Sequence, residues 1–109
     1  MAARSCWLGA IVMLAGTAPA IGAADRVAAG QQKAAQCVAC HGPEGFAPNP
    51  TFPHIAGQNA AYLENQLGLF KTGERYHALM TPVAQALSDE DIDDLAAYYS
   101  GLRLWSEAQ

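Results

Sequence analysis

The chain has 109 residues, of which 51% are apolar and 15% are charged. This composition indicates one small globular domain and excludes a disordered, highly charged tail. Ten acidic residues against six Lys and Arg give a net charge of −4, which argues against a nucleic-acid-binding protein. Three cysteines are too few for a scaffold built on disulfides.

Residues 1–24 have the features of a signal peptide. One basic side chain, Arg4, precedes an apolar run over residues 7–15. Small residues then occupy positions −3 and −1 of a cut before Asp25. We therefore predict a cleaved signal peptide over residues 1–24.

Two alternatives concern this segment. The first is an earlier cut before Ile21. The second is an uncleaved membrane anchor, because residues 5–24 carry no charge and are about long enough to span a bilayer. The small residues around Pro19 disfavour the anchor, so no stable membrane insertion is expected after cleavage. The mature domain, residues 25–109, is then small enough that a cofactor or another crosslink would help its core to fold.

The first predicted element of the mature chain is a helix. Asp25 is a suitable N-cap for it, and it is expected to run to about Gln36. Residues 42–57 are rich in Gly and Pro, which predicts an ordered but irregular loop.

A second helix is predicted from Ala60 to about Thr72. Asn59 is its expected N-cap, and Gly73 stands where a C-cap glycine belongs. Its apolar residues repeat at i, i+4 and i+7: Leu63, Leu67 and Phe70.

The remaining helices are a short one from Pro82 to Ala86 and a last one that follows Ser88. Ser88 and Asp91 have the spacing of a capping box. Acidic residues crowd the first turns up to Asp94, and we interpret them as helix stabilisation and solvation rather than a calcium site. No stretch alternates as a strand would, so the predicted fold class is all-α.

The chemistry is concentrated in the pentapeptide Cys37-Val38-Ala39-Cys40-His41. Two cysteines three apart, followed at once by histidine, are typical of covalent c-type haem attachment. The alternatives are a zinc site completed by His54 or His77, a thioredoxin-like dithiol and a plain disulfide. Adjacent Cys40 and His41 suit a tetrahedral ion poorly, and the dithiol would need a βαβ context that the sequence does not offer.

The mature chain resembles a small single-haem bacterial class I cytochrome c, and it is similar to one half of the di-haem class I cytochromes c. The segments that carry the resemblance are Cys37-Val38-Ala39-Cys40-His41-Gly42, Pro50-Thr51-Phe52-Pro53, Ile55-Ala56-Gly57-Gln58, Tyr62-Leu63, Gln66-Leu67, Phe70-Lys71-Thr72-Gly73-Glu74-Arg75, Met80, Leu87-Ser88-Asp89-Glu90-Asp91-Ile92 and Ala96-Ala97-Tyr98-Tyr99. The resemblance implies about four helices wrapped around one covalently attached haem. It also implies that small residues of the first helix, Gly30 and Ala34, meet Tyr98 or Tyr99 of the last.

The resemblance also implies roles for single residues. Cys37 and Cys40 would form the haem thioethers, and His41 would be the proximal axial ligand of the iron. The carbonyl of Pro50 would accept a hydrogen bond from the other ring nitrogen of His41. Arg75, with Tyr76 beside it, would reach a haem propionate.

Met80 is the expected sixth ligand of the iron. It is the only methionine left after signal removal, and it lies in a loop before a short helix. A thioether favours ferrous iron and so raises the reduction potential. His77, three residues away, is the alternative ligand, but His77 and His54 are expected to be surface or propionate-side residues.

These expectations describe a periplasmic one-electron carrier that exchanges electrons with a donor and an acceptor redox protein and is not itself an enzyme. The alternative is an electron-transfer subunit fixed to a larger dehydrogenase or oxidase complex, so the chain would be a monomer or a subunit. Haem catalysis or gas binding ranks last, because the sequence offers no acid–base group placed beside an open iron site.

Overall fold

The computed structural model describes residues 11–102. Arg4 and the start of the predicted signal peptide, and residues 103–109 of the predicted domain, lie outside the described residues. The helices are α1 (Ala23–Lys33), a 3₁₀ turn (Ala34–Gln36), α2 (Val38–His41), α3 (Ala60–Thr72), α4 (Met80–Gln85) and α5 (Asp89–Ser100). No strand occurs in residues 11–102, which confirms the all-α prediction. None of the helices in this part of the chain is long and apolar enough to cross a membrane.

The structure corrects the predicted start of the first helix. Gly22, not Asp25, is the N-cap of α1, and Asp25 is the third residue of the helix. The Asp25 carboxylate reaches back and accepts a hydrogen bond from the Gly22 N–H at 3.2 Å. A carboxylate at the third position of a helix satisfies a free N–H at the helix start, as an N-cap side chain also does. The sequence alone therefore does not distinguish an aspartate at the third position from an aspartate at the N-cap.

Both ends of α3 and the start of α5 are confirmed. The Asn59 side chain accepts from the Tyr62 N–H, and Gly73 ends α3 with a φ of 82°. Ser88 and Asp91 form the predicted capping box of α5. The short helix α4 begins at Met80, two residues before the predicted start. Pro82 is thus its third residue, where proline is tolerated because the N–H groups of the first turn have no partner inside the helix.

The core lies where α1 crosses α5. A Cβ at Gly30 would overlap the main-chain carbonyl of Asp94 and approach the Cβ of Tyr98, so only glycine permits this close crossing. Ala34 joins Tyr98 and Tyr99 in the buried cluster, which agrees with the expected contact between small residues and aromatics.

The acidic cluster of α5 is paired with bases from other helices. Lys33 Nζ lies 2.6 Å from one oxygen of Asp94 and 2.8 Å from Asp91. Arg26 lies 3.4 Å from the other oxygen of Asp94, and Lys71 of α3 lies 2.8 Å from Asp89. The carboxylates therefore connect α5 to α1 and α3 as well as stabilising the first turn of α5.

Candidate haem site

A cavity of about 600 Å³ lies between α2, the loop that follows it, α3, α4 and α5. This volume falls within the range of cofactor sites. Most of the side chains that line it are apolar or aromatic, and they include Phe52, Ile55, Leu63, Leu67, Phe70, Leu79, Val83, Leu87, Leu95 and Tyr99. Cys37, Cys40, His41 and Met80, which the sequence predicted to hold a haem, all line the same cavity.

One tight turn presents the pentapeptide. Cys37 is the N-cap of α2, and its carbonyl accepts from the N–H of Cys40 at 3.3 Å and from that of His41 at 2.9 Å. This turn brings two thiols and an imidazole to one wall of the cavity. Both thiols are free. Burial raises the pKa of the Cys37 thiol, and an interaction with the Tyr99 hydroxyl opposes part of that rise.

His41 is buried at 8% exposure. Its Nδ1 lies 2.9 Å from the carbonyl oxygen of Pro53. A carbonyl can only accept, so Nδ1 carries the proton and Nε2 keeps the lone pair that binds a metal. The prediction that Pro50 supplies this carbonyl is wrong. Pro53 is among the loop residues that line the cavity, whereas Pro50 is not.

Backbone hydrogen bonds hold the loop that carries Pro53. The Gly45 carbonyl accepts from Ile55 N–H at 2.8 Å and from Ala56 N–H at 3.1 Å. The Nδ1 of His54 accepts from Ala47 N–H at 2.8 Å. These contacts close residues 45–56 into a compact loop and place the Pro53 carbonyl against α2.

The segment around Met80 forms another wall of the cavity. His77 Nδ1 accepts from the N–H groups of Leu79 at 3.2 Å and Met80 at 3.3 Å. The Thr81 hydroxyl accepts from His77 N–H at 2.9 Å, and Thr81 N–H donates back to the His77 carbonyl at the same distance. Thr81 is 6% exposed, whereas His77 is exposed to solvent.

Arg75 lies at the edge of the cavity, in contact with α3. Its guanidinium donates to the Gln66 side chain at 2.6 Å and stacks over the Phe70 ring at 4.5 Å from the centroid. Two residues thus fix one exposed cationic head, and the other N–H donors of its fork remain available to an anionic group.

The chain's residues fit a c-type haem. An apolar cavity suits a flat aromatic macrocycle, the two thiols suit thioether bonds, and an imidazole with a free Nε2 and a thioether sulfur suit iron. The tetrahedral zinc alternative is not supported, because no three His, Cys, Asp or Glu side chains of residues 11–102 are grouped as metal ligands.

The sequence prediction missed several residues of this site. Tyr62, Gln66, Thr51 and Leu79 line the cavity without having been singled out as site residues. The apolar stripe predicted on α3 was a usable signal for two of them, since Tyr62 and Gln66 stand next to Leu63 and Leu67 and all four line the cavity.

Comparison with known proteins agrees with this assignment. The family model for cytochrome c matches residues 27–102. Cytochrome c-554(548) of Halomonas halodenitrificans is 51% identical over 80 residues, which is 71% of this chain and 96% of that protein. Cytochrome c4 of Pseudomonas aeruginosa is 46% identical over 82 residues, which is 75% of this chain but 41% of that protein.

A solved structure is similar too. The crystal structure of reduced recombinant cytochrome c4 from Pseudomonas stutzeri superposes with a TM-score of 0.64 at 32% identity, covering 72% of this chain and 48% of that one. The chain therefore spans about half the length of these cytochromes c4, and nearly all of the Halomonas protein. The chain belongs to the cytochrome c family, whose members carry electrons on a covalently bound haem.

Proposed function

We propose that this chain is an exported, non-enzymatic one-electron carrier with a single haem and His41/Met80 axial ligation. The single observation that carries the proposal is that one cavity is lined by both thiols of the pentapeptide, by the His41 imidazole and by Met80. Bound haem supplies a one-electron iron couple. Each protein group then has a role that its own chemistry explains.

Cys37 and Cys40 would anchor the cofactor covalently. His41 offers Nε2 to the iron, since Nδ1 is committed to the Pro53 carbonyl. That hydrogen bond fixes the orientation of the ring and makes the imidazole a stronger donor. Met80 offers a soft thioether, which favours the ferrous state. The apolar side chains of the cavity would exclude water from the bound haem.

Arg75 is proposed as the partner of a propionate. Its head is fixed by Gln66 and Phe70 at the edge of the cavity, so it can meet a carboxylate without losing much side-chain entropy. Three large apolar side chains that line the cavity, Tyr62, Leu79 and Val83, are exposed to solvent. Tyr62 is 50% exposed and Leu79 is 55% exposed. We infer that redox partners dock on such a surface, as expected for small, transient redox encounters.

The variant Met80→Ala tests the ligation. The oxidised wild type should show the weak far-red sulfur-to-iron charge-transfer band. Met80→Ala should lose the band, lower the reduction potential and bind carbon monoxide rapidly in the ferrous state. The control is Gln85→Ala, which changes an exposed residue of the same helix and keeps Met80. It should behave as the wild type. A wild type without the band, and a Met80→Ala variant with unchanged spectrum and potential, would refute Met80 ligation.

Two further measurements address export and assembly. Mass spectrometry of the native protein should find a mature chain that begins near Asp25 and carries the mass of one haem. An intact residue 1–24 segment would contradict cleavage. Size-exclusion chromatography of a periplasmic extract should elute the haem protein as a small free species. Co-elution with a dehydrogenase or oxidase would favour the alternative, a fixed electron-transfer subunit.

A further inference from the structure

The segment from His77 to Thr81 is a closed hydrogen-bonded unit. The N–H groups of His77, Leu79, Met80 and Thr81 all have acceptors inside the segment. Three of these four hydrogen bonds are accepted by His77, two at Nδ1 and one at its carbonyl oxygen. The Thr81 hydroxyl completes the unit from a buried position. The start of α4, and so the position of the Met80 main chain, depends on these contacts.

These contacts define the role of His77 in the site. Its Nδ1 accepts two N–H groups, one of them from Met80 itself, so the ring holds the backbone of the neighbouring residue. The ring also packs edge-on against Phe70 of α3, with centroids 6.5 Å apart. The contact anchors the unit to a longer helix, because Phe70 is itself 8% exposed and belongs to the wall of the cavity.

We propose that His77, with Thr81, is a positioning residue that holds Met80 in the geometry needed for iron ligation and is not a ligand itself. The inference rests on the proposed function, because it presupposes that Met80 is the sixth ligand. Met80 is the first residue of a short helix, and its side chain has three rotatable bonds and is easily displaced. Fixing its backbone removes one source of that freedom and would favour binding of the sulfur to iron, although His77 and Thr81 would not contact the iron themselves.

Four variants of the holoprotein separate this role from a structural one. His77→Ala removes the acceptor, and His77→Asn restores one, because an Asn side-chain oxygen can accept the same main-chain N–H groups. Thr81→Val removes the hydroxyl at nearly constant shape, and Thr81→Ser keeps it. Gln85→Ala is the surface control on α4. The readouts are the far-red band, the reduction potential, the rate of carbon monoxide binding to the ferrous protein, and the far-ultraviolet circular dichroism.

The expected result is a pattern across the set. His77→Ala should weaken the far-red band, lower the potential and speed carbon monoxide binding roughly tenfold, a factor within the range expected for the loss of two hydrogen bonds. Thr81→Val should move the same readouts in the same direction by a smaller factor. His77→Asn, Thr81→Ser and Gln85→Ala should stay close to the wild type, and helical circular dichroism should be retained throughout.

Each contrary result has a definite meaning. If the wild type has the band and His77→Ala matches Gln85→Ala in all readouts, the positioning role is overturned while Met80 ligation stands. If His77→Asn fails to restore what His77→Ala loses, the role of the Nδ1 acceptor is overturned. If His77→Ala does not fold, the Thr81→Val and Thr81→Ser pair decides, and equal behaviour of those two overturns the proposal. If the wild type lacks the band and the ligand field of the iron changes in His77→Ala, His77 is itself a ligand. The proposed Met80 ligation would then fail as well.

Discussion

Gly30 in α1 packs directly on the main-chain carbonyl of Asp94 in α5, and the same aspartate carries the carboxylate that Lys33 and Arg26 bind. The two contacts are interdependent. The absence of a Cβ at Gly30 lets the helices approach, and the approach brings a base one turn further along α1 to the buried carboxylate, which is 4% exposed. A buried carboxylate needs such partners, because an unpaired charge in the core is strongly unfavourable.

Gly30→Ala should therefore destabilise the protein by about 1–3 kcal/mol, the usual effect of inserting a methyl group into a tightly packed contact. The matched control is Gly68→Ala in α3, where a Cβ would meet nothing within 4 Å. That substitution should stabilise the helix by about 0.5–1 kcal/mol. Denaturant unfolding of both holoproteins measures the two changes. If Gly30→Ala leaves the free energy of unfolding unchanged or raises it, the two helices can separate at little cost.

Acid stability should depend on Asp91. The Asp91 carboxylate binds Lys33 and also interacts with the backbone and the hydroxyl of Ser88. These interactions lower the pKa of Asp91 from 3.8 to about 2. Because the folded pKa is the lower one, this carboxylate stabilises the fold above about pH 4, and the stabilisation is lost as the pH falls toward 2. Asp91→Asn should flatten the dependence of stability on pH in that window.

The control for this measurement is Glu90→Gln. Glu90 is an exposed acid in the same turn of α5. Its substitution changes the net charge by the same amount and should leave the pH dependence between 2 and 4 close to that of the wild type. If both variants flatten the curve equally, overall charge rather than the Asp91 contacts governs acid stability.

The elements that could be predicted from sequence are those whose ends depend on local contacts. Asn59 and Gly73 fix both ends of α3 with groups within a few residues of them, and the Ser88 capping box does the same for α5. The start of α1 was misassigned because its N-cap, Gly22, has no side chain to mark it. The start of α4 was misassigned because contacts of His77 and Thr81 determine it.

The candidate site divides in the same way. The residues of the pentapeptide are recognisable because their chemistry is unusual and their spacing is fixed, and Met80 is recognisable because it is the only methionine after residue 24. The carbonyl that meets His41 is not, since Pro50 and Pro53 are both prolines in the same loop and only the folded path of residues 45–56 brings Pro53 to the ring. The partners of Asp94 come from α1, more than 60 residues away in sequence, and no local pattern encodes them.

The Pro53 contact can be tested by its effect on potential. Pro53→Gly keeps the carbonyl but loosens the backbone that aims it, so the hydrogen bond from His41 should weaken and the imidazole should donate less to the iron. The reduction potential should then rise by roughly 20 mV, because 59 mV in a one-electron couple corresponds to a tenfold change and a weakened hydrogen bond contributes a fraction of that. Potentiometric titration measures the shift.

Pro50→Gly is the control for that titration. It makes the same change to the unfolded chain, at an exposed position three residues earlier in the same loop. Its potential should match the wild type, although both variants should lose a little stability. A shift for Pro50→Gly that equals the shift for Pro53→Gly would mean that general loosening of the loop, and not the aimed carbonyl, sets the effect.

Folding should depend on covalent attachment of the cofactor. The side chains around the cavity belong to the loop before α3, to α3, α4 and α5, so the same apolar surfaces that would cover a haem would face water without one. Cys37→Ala with Cys40→Ala should therefore leave a largely unfolded apoprotein with weak helical circular dichroism and no cooperative thermal transition. Conversion of each cysteine to serine gives a second version of the same loss with better solubility. A cooperative, fully helical apoprotein in either version would show that the contact of α1 with α5, together with α3, suffices to fold the chain, and that the cofactor adds electron transfer to a structure that already exists.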